Sequence, residues 1–390
     1  MFITLSAFGK TRFIFFSLLH LGQFILFFFC KYRKAFLVSN AVFGWKPEKI
    51  PNRNSIENRV KKSGYGIYKG PAYASTEEEH AQITDESMMP GSEKMPVSLG
   101  VRAEKQSDVS LKTSDVKVLD ISVASSRNST GIKAVLAATQ KKEGKPPLYV
   151  MSNNDIKLNR AIRESKQVHI RNIGHMTALP VEKQYGKDKH FKACTKTIAG
   201  VRVREVMRET GCLLPPRQRS TARFMNLPHT LEWSRNMQRI FASLNANERQ
   251  TFDFVNTHGK TTSGLIDVFG FVNGVLKRVK PEGLSKKSID ACLKETDRIL
   301  NSRNKRMVWF KSSVRGQLER ERDKLAGEKS VWNASSDMTE SLFGCCRFKR
   351  PGNPLHGVTA YALILPLLAQ TGDKDRPSAV EFKRCLEGVL

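Results

Sequence analysis

An acidic side chain followed by a cluster of basic ones is the pattern in this sequence that most directly suggests chemistry. Glu340 lies in a helix-like stretch at 332–344, and Arg347, Lys349 and Arg350 follow within about three helical turns. A carboxylate that holds a divalent cation beside groups that hold phosphate is what phosphodiester chemistry requires. Taken alone, the segment is more typical of an amphipathic helix with a solvated acid, so its meaning depends on the elements that position it.

The charge balance favours a polyanionic partner. The 390-residue chain has 65 Lys and Arg residues against 37 Asp and Glu residues, which gives a formal net charge of +28. Such an excess binds nucleic acid through counterion release and speeds the encounter with it. The basic residues are spread along the chain, with a local cluster at 217–223, and this spread suits a broad DNA-binding surface. A protein that is merely basic is the alternative.

The cysteines and the N-terminal segment indicate where in the cell the protein is expected to lie. Seven cysteines at spacings that match neither a zinc site nor a disulfide framework predict reduced thiols in a cytoplasmic protein. The apolar run at 13–30 is flanked by basic residues and predicts either a membrane anchor or a buried helix of a small helical domain. The run contains His20, Gly22 and Gln23 and is short for a membrane span, but these residues alone leave the two predictions about even. The organisation of the rest of the chain favours the buried helix.

A basic helix is predicted at 51–62. Asn54 is placed to cap it, Glu57 follows three residues later as in a capping box, and Gly64 is expected to end it. With a preceding helix at about 31–43 and a turn near Pro47, the order is that of a helix-turn-helix, although most short basic helices are only solvated surfaces. The side chains expected at base edges are Asn52, Asn54 and Asn58, and those expected at phosphates are Arg53, Arg59, Lys61 and Lys62.

The middle of the chain predicts a mixed sheet. After a polar linker at 66–80, strands are predicted at 81–87, 96–101, 116–123, 148–151 and 168–173, with helices at 130–141 and at about 156–165. The resulting β-β-β-α-β-α-β order predicts an α/β fold with helices on the faces of the sheet, and it is the order of the ribonuclease-H-like fold. His169, within the last strand, is expected to be a partly buried core residue.

The rest of the chain is predicted to be helical. Periodic runs at 182–209, 231–241, 247–256, 266–279, 286–302 and 313–326 predict an all-helical insertion. An apolar run at 361–368 predicts a helix that packs back on the sheet. The predicted domains are a helix-turn-helix region at 1–65, a linker at 66–80, a ribonuclease-H-like core at 81–175 and 331–390, and a helical insertion at 176–330.

Several motifs in this order carry a family resemblance. They are the runs at 50–58, 83–89, 147–155, 204–208, 213–219 and 222–227, together with the Glu340 segment. In combination they resemble the DDE-class insertion-sequence transposases that have an N-terminal helix-turn-helix and a helical insertion in the catalytic core. The resemblance covers about 31–370 and rests on the combination, since no single motif is specific.

The resemblance implies a metal-dependent polynucleotidyl transferase that binds double-stranded DNA as a homo-oligomer, at the nucleoid, and cleaves and transfers its strands. In such enzymes three carboxylates hold two Mg²⁺ or Mn²⁺ ions. The resemblance makes Asp85, at a strand end, the first carboxylate and Glu340 the third. It also implies DNA contacts at Arg217, Arg219, Arg223, Arg347, Lys349 and Arg350.

The second acidic position departs from the family pattern. The family has Ser-Asp-Asn there, whereas this chain has Ser152-Asn153-Asn154, with Asp155 one residue further. Asn153 is neutral and binds Mg²⁺ more weakly than a carboxylate does. Asp155 would lie on the same face as Asn153 in an extended backbone and is the alternative ligand. The pattern is that of a degenerate copy with impaired activity. A non-enzymatic DNA-binding remnant and a membrane-anchored basic protein are the competing hypotheses.

Overall fold

The computed structural model describes residues between Arg53 and Gln370. The described ranges are 53–69, 78–88, 95–105, 111–112, 115–122, 128–153, 155–218, 227–299, 305–325, 327–348, 362–363 and 365–370. The predicted helix at 31–43 and the apolar run at 13–30 lie outside these ranges, and so does most of the C-terminal tail. No helix within the described ranges is long and apolar enough to cross a membrane.

Five strands and a larger number of helices make up the described chain. The strands are β1 (His80–Met88), β2 (Met95–Arg102), β3 (Lys117–Ile121), β4 (Val150–Ser152) and β5 (His169–Arg171). The helices are α1 (Arg53–Lys69), α2 (Ser129–Glu143), α3 (Ile156–Glu164), α4 (Ile173–Tyr185), α5 (Lys189–Glu205), α6 (Leu227–Ile240), α7 (Ala246–Phe252), α8 (Phe254–Thr257), α9 (Gly259–Glu282), α10 (Lys286–Ile299), α11 (Lys305–Arg322), α12 (Asp337–Phe348) and α13 (Leu365–Gln370). Short 3₁₀ turns lie at Glu209–Leu213 and Phe241–Ser243.

The strands form one mixed sheet in the order β3-β2-β1-β4-β5. β1 pairs antiparallel with β2 and parallel with β4, and β2 pairs antiparallel with β3. The predicted mixed α/β sheet in a largely helical chain is therefore confirmed, and its order is consistent with a ribonuclease-H-like core. β1 is the central strand, so side chains on both of its faces are buried, from Ala81 to Asp85.

Helices α2 and α3 cover one face of the sheet. Ile132 and Leu136 of α2 form a buried cluster with Val150 of β4 and with residues of α3, among them Leu158. Asn128 caps the start of α2 by accepting a hydrogen bond from the Gly131 amide at 2.9 Å. The helix ends at a residue with a left-handed backbone, Gly144, whose φ is 71°. These end signals fix α2 between β3 and β4.

The chain divides into two compact units. The first contains the described residues within 53–103, 111–169 and 336–370, and the second contains those within 104–105 and 170–335. In the second unit, α9 contacts α4, α5, α6, α8 and α10, and the rings of Phe271 and Phe310 meet edge to face at 6.1 Å. A second apolar cluster joins Val201 of α5 to Met237 of α6 and Phe252 of α7.

Helix α1 differs from its sequence prediction. The expected end at Gly64 is wrong, because α1 continues to Lys69 and takes in the first residues of the predicted linker. Gly64 is buried, and a Cβ atom there would overlap the Leu363 carbonyl oxygen. Glycine therefore serves a close backbone approach at this position and does not cap the helix. Asn54 lies inside the first turn, so it is not the cap that the pattern predicted.

Polar contacts attach α1 to the sheet. The Tyr68 hydroxyl donates to Asp120 Oδ1 at 3.1 Å, and Lys142 Nζ donates to the Leu119 carbonyl at 3.1 Å while lying over the Tyr68 ring. Burial, followed by the negative charge of Asp120, raises the pKa of Tyr68 to about 12. The hydroxyl therefore stays protonated and keeps donating at neutral pH. The C-terminal end of α1 is thus packed within the first unit.

The periodic run at 182–209 covers parts of two helices. α4 ends at Tyr185 and α5 begins at Lys189, after a short connection. The Asp188 carboxylate accepts a hydrogen bond from the Phe191 amide at 2.7 Å and so starts the new helix. The periodicity is continuous because α4 and α5 both bury an apolar face, which conceals the break between them.

Candidate functional site

Asp85 and Asn153 lie side by side where the parallel pairing of β1 with β4 ends. The β1–β4 register pairs Thr84 with Ser152, so Asp85 and Asn153 are the next residues on each strand. Neighbouring strands lie about 4.8 Å apart, and equivalent positions of parallel strands face the same side. Immediately after Asp85 the pairing of β1 with β2 shifts register, an irregularity that is common beside active sites. Strand pairing alone thus brings together these two residues, both of which the sequence analysis placed in the candidate site.

The two side chains face away from α2 and α3. Gln82 Nε2 donates to Thr84 Oγ1 at 3.1 Å and to Ser98 Oγ at 3.0 Å, and Thr84 and Ser98 line a small cavity with Leu136 of α2. Because side chains alternate along a strand, Asp85 projects to the other face of the sheet. Asp85 is only 5% exposed, so its carboxylate lies in a largely desolvated position.

A buried hydrogen-bond network holds Asn153. Ser152 Oγ lies 2.8 Å from His169 Nε2 and 3.0 Å from the Asn153 carbonyl oxygen. Ser152 is fully buried, and His169 is half-buried as predicted. No sequence signal indicates the serine–histidine contact, because it depends on how β4 lies beside β5. The network fixes the end of β4, from which the Asn153 side chain extends.

The Asn153 side chain has an unused acceptor. Its Oδ1 atom is buried and accepts no hydrogen bond from the described residues. A buried acceptor left without a donor costs about 1–3 kcal/mol. A cation or a proton donor that reached this oxygen would recover that cost. The amide oxygen is therefore suited to coordinate a cation, although it brings no negative charge.

Asp155 has a structural role at the start of α3. Its Oδ1 accepts hydrogen bonds from the Lys157 amide at 2.8 Å and from the Leu158 amide at 3.1 Å. The residue is the N-cap of α3 and is exposed. Helix α3 begins at the next residue, Ile156. The capping contact is the principal interaction that the structure gives this carboxylate.

We expect substitutions at Asp155 to affect stability and to leave metal-dependent activity unchanged. Asp155→Ala removes the cap and should lower the free energy of unfolding by about 1 kcal/mol. Asp155→Asn removes the charge but keeps an equally good capping side chain, so its stability should stay within about 0.5 kcal/mol of the wild type. Urea denaturation compares the two variants. Loss of metal-dependent cleavage in Asp155→Asn would instead assign this carboxylate to the metal site.

Glu340 lies on a helix that contacts the central strand. α12 packs against β1 and α13 within the first unit. Met338, Leu342 and Phe343 form the buried face of α12, whereas Glu340 is exposed in its first turn. A carboxylate in the first turn is favoured by the helix dipole. The structure thus brings the helix that carries Glu340 to the strand that carries Asp85.

The carboxylates alone do not form a metal centre. Among the described residues, no group of three or more His, Cys, Asp or Glu side chains is arranged to hold a metal ion. The metal-ligand candidates at this edge of the sheet are two carboxylates, Asp85 and Glu340, and one amide, Asn153. Mg²⁺ sites built with substrate phosphates use only one or two protein carboxylates, so this donor set suits one ion better than two.

The predicted DNA-binding residues fall in several places. Arg53, Asn54, Asn58, Arg59, Lys61 and Lys62 lie in α1, and Arg347 lies in α12. Asn58, Lys62 and Arg217 are exposed, whereas Lys61 is half-buried. Asn52, Arg219, Arg223, Lys349 and Arg350 lie outside the described residues. The helix predicted for the basic segment is present, and the DNA contacts remain predictions.

The structure of the chain has a distant likeness among solved structures. No protein-family model matches the sequence, and no curated protein matches it. Among solved structures, the chain is similar to one described as a Drosophila P element transposase strand transfer complex. The likeness covers 95% of this chain and 94% of that one, with 10% sequence identity and a TM-score of 0.45.

Proposed function

We propose that the chain is a transposase-like DNA-binding protein with a weakened site for metal-dependent cleavage and transfer of DNA strands. The observation that carries the proposal is the β1–β4 register, which places Asp85 of β1 next to Asn153. Helix α12, which carries Glu340, contacts the same strand β1. The net charge of +28 supports a nucleic-acid partner. The motif resemblance of the sequence to DDE-class transposases supplies the reaction class.

In this proposal the site has three donors with different roles. Asp85 is a buried carboxylate anchored in the central strand, Glu340 is an exposed carboxylate on α12, and Asn153 contributes a neutral amide oxygen. A divalent cation such as Mg²⁺ or Mn²⁺, when bound, would activate the attacking oxygen and stabilise charge on the phosphate. The absence of a negative charge at Asn153 makes ion binding weaker than in a three-carboxylate site. The proposed activity is therefore slow.

A second candidate function is a DNA-binding remnant without catalysis. The neutral Asn153 and the capping role of Asp155 favour it, because together they leave only two carboxylates for the site. The two candidates share DNA binding and differ only in cleavage. Metal-dependent cleavage of DNA by the wild-type chain therefore separates them.

The test of the proposed function combines binding and cleavage. We expect the full-length chain to bind duplex DNA with a steep salt dependence and to nick supercoiled plasmid slowly in Mg²⁺ or Mn²⁺, with EDTA stopping the nicking. Binding without any nicking would establish the remnant. Failure to bind duplex DNA even at about 50 mM salt would reject both candidates.

We also expect α1 to contact DNA phosphates. Replacing Arg53, Arg59, Lys61 and Lys62 with Ala should weaken duplex binding and reduce the slope of log K against log salt, by up to about 0.9 for each phosphate that the variant no longer neutralises. Fluorescence anisotropy over a salt series measures the slope. The matched control replaces four exposed basic residues of the first unit, Lys133, Lys141, Arg163 and Lys166, with Ala. Equal reductions in the two variants would exclude α1 as a specific contact.

A further inference from the structure

A group of lysines crosses the junction between α4 and α5 in the second unit. Its members, which we call the lysine cluster, are Lys183, Lys187, Lys189, Lys192 and Lys196, and all five are exposed. Within α5, the last three are spaced at i, i+3 and i+7 and so share one face of the helix. The opposite face of α5 is buried through Phe191, Ile198 and other apolar residues. Packing therefore fixes the helix with its lysines towards solvent.

The lysines of the cluster lack ion pairs with acids in the described part of the chain. None of the five forms an ion pair with another residue that the structure describes. The one acid between them, Asp188, has a side chain that is 6% exposed and is occupied by Arg306 and by the Phe191 amide. Glu182 and Asp267 are other acids close by, since Glu182 adjoins Lys183 and the charge of Asp267 acts on Tyr185. The local balance remains strongly positive.

Other cations of the same unit do form ion pairs. On α10 and α11, Lys311 and Arg315 contact Asp297, and Arg322 contacts Asp290. Exposed ion pairs add little stability, but acids placed among cations do cancel repulsion between like charges. The α4–α5 junction lacks that cancellation, so its positive potential is available to an external anion.

The spacing of the cluster fits a nucleic-acid backbone. Lys189 and Lys196 are seven residues apart, which corresponds to a rise of about 10 Å along the helix axis. Phosphates of one strand of B-DNA are about 3.4 Å apart along the duplex axis, so this distance covers about three nucleotide steps. Long flexible lysine side chains act as point charges and tolerate the remaining mismatch in geometry. A regular array of phosphates matches this row better than a single small anion does.

We propose that the lysine cluster is a phosphate-backbone contact for duplex DNA, additional to α1 and independent of base sequence. This inference rests on the proposed DNA-binding function and assigns a surface of the helical insertion to it. It predicts that cluster residues control affinity and its salt dependence without changing sequence preference. The cluster contains none of the basic residues at 217–223 that the sequence pattern indicated.

The test is a triple substitution, Lys189→Ala, Lys192→Ala and Lys196→Ala, in the full-length chain. The matched control is Lys287→Ala, Lys294→Ala and Lys329→Ala, which removes three exposed lysines of the same unit that also lack an ion pair with any described residue. Both variants change the net charge equally. Because the replaced side chains are exposed, both should unfold within about 0.5 kcal/mol of the wild type.

We expect the cluster variant to bind a duplex of about 30 base pairs roughly tenfold to a hundredfold more weakly at about 100 mM salt, with a slope reduced by about two to three units. The control should change the slope by less than about one unit. Equal slopes for the two variants would overturn the inference. If the α1 variant still binds more weakly in that case, the proposed function stands and only the cluster is excluded. If the wild-type chain binds no duplex, the proposed function and the inference fail together.

Discussion

Asn153→Asp is expected to raise Mg²⁺-dependent nicking of plasmid DNA by about tenfold to a hundredfold over the wild-type chain. The new carboxylate would stand beside Asp85 at the end of β4, where strand pairing already places the amide. A second negative charge next to the first strengthens the hold on a divalent cation and offsets repulsion between two such ions. The buried Oδ1 of Asn153, which accepts no hydrogen bond from the described residues, shows that this position has an acceptor to spare.

The control for this substitution adds the same charge nearby but outside the site. Asn159 lies on α3, and its Oδ1 is 3.5 Å from Ser152 Oγ, on the side of the sheet away from Asp85. Asn159→Asp should leave the nicking rate near that of the wild type. Equal stimulation by both variants would point to a general charge effect. A wild-type chain that is already fully active and insensitive to position 153 would show that the active site lies elsewhere.

The sheet was predictable because its strands are short, apolar and in a distinctive order. Ile83, Leu99 and Val150 are buried members of runs with strand periodicity, so the pattern located β1, β2 and β4 within a few residues. Asp85 could be placed in the second half of β1 on the same basis, although the strand continues to Met88. Its position beside Asn153 could not be derived from periodicity, because that depends on which strands pair and in which register. The family resemblance supplied that expectation.

Tertiary contacts decide several local choices that the residue types leave open. Gly64 has the sequence appearance of a helix end, yet a close approach by Leu363 requires glycine inside α1. Asp155 is an alternative metal ligand by sequence, and the structure adds a capping contact at the start of α3. Asp188 caps the start of α5, although the apolar periodicity of the sequence continues from α4 into α5 without a visible break. In each case the residue type was informative, but two roles fitted it and only the neighbouring backbone separates them.

The carboxylates of the proposed site should be indispensable for cleavage and dispensable for DNA binding. In the Asn153→Asp background, Asp85→Asn and Glu340→Gln should each lower the nicking rate by about a hundredfold or more, the effect of losing a few kcal/mol of transition-state stabilisation. Asp85→Asn preserves the shape of a side chain that is 5% exposed, and Glu340→Gln alters an exposed one, so neither should disturb the fold. Plasmid nicking measures the rate, and anisotropy with a labelled duplex measures binding.

Asp155→Asn is the matched control for these carboxylates, because it makes the same chemical change close to the site, at a position that keeps its capping contact. If Asp85→Asn and Glu340→Gln abolish cleavage while Asp155→Asn does not, the acids act through the site at the end of β1. If all three variants cleave equally, the nicking does not use this edge of the sheet. If Glu340→Gln alone has no effect, α12 contacts β1 for packing and the site lacks its third donor. The outcomes can differ between the two acids because Asp85 lies on the central strand, whereas Glu340 lies on the helix that contacts it.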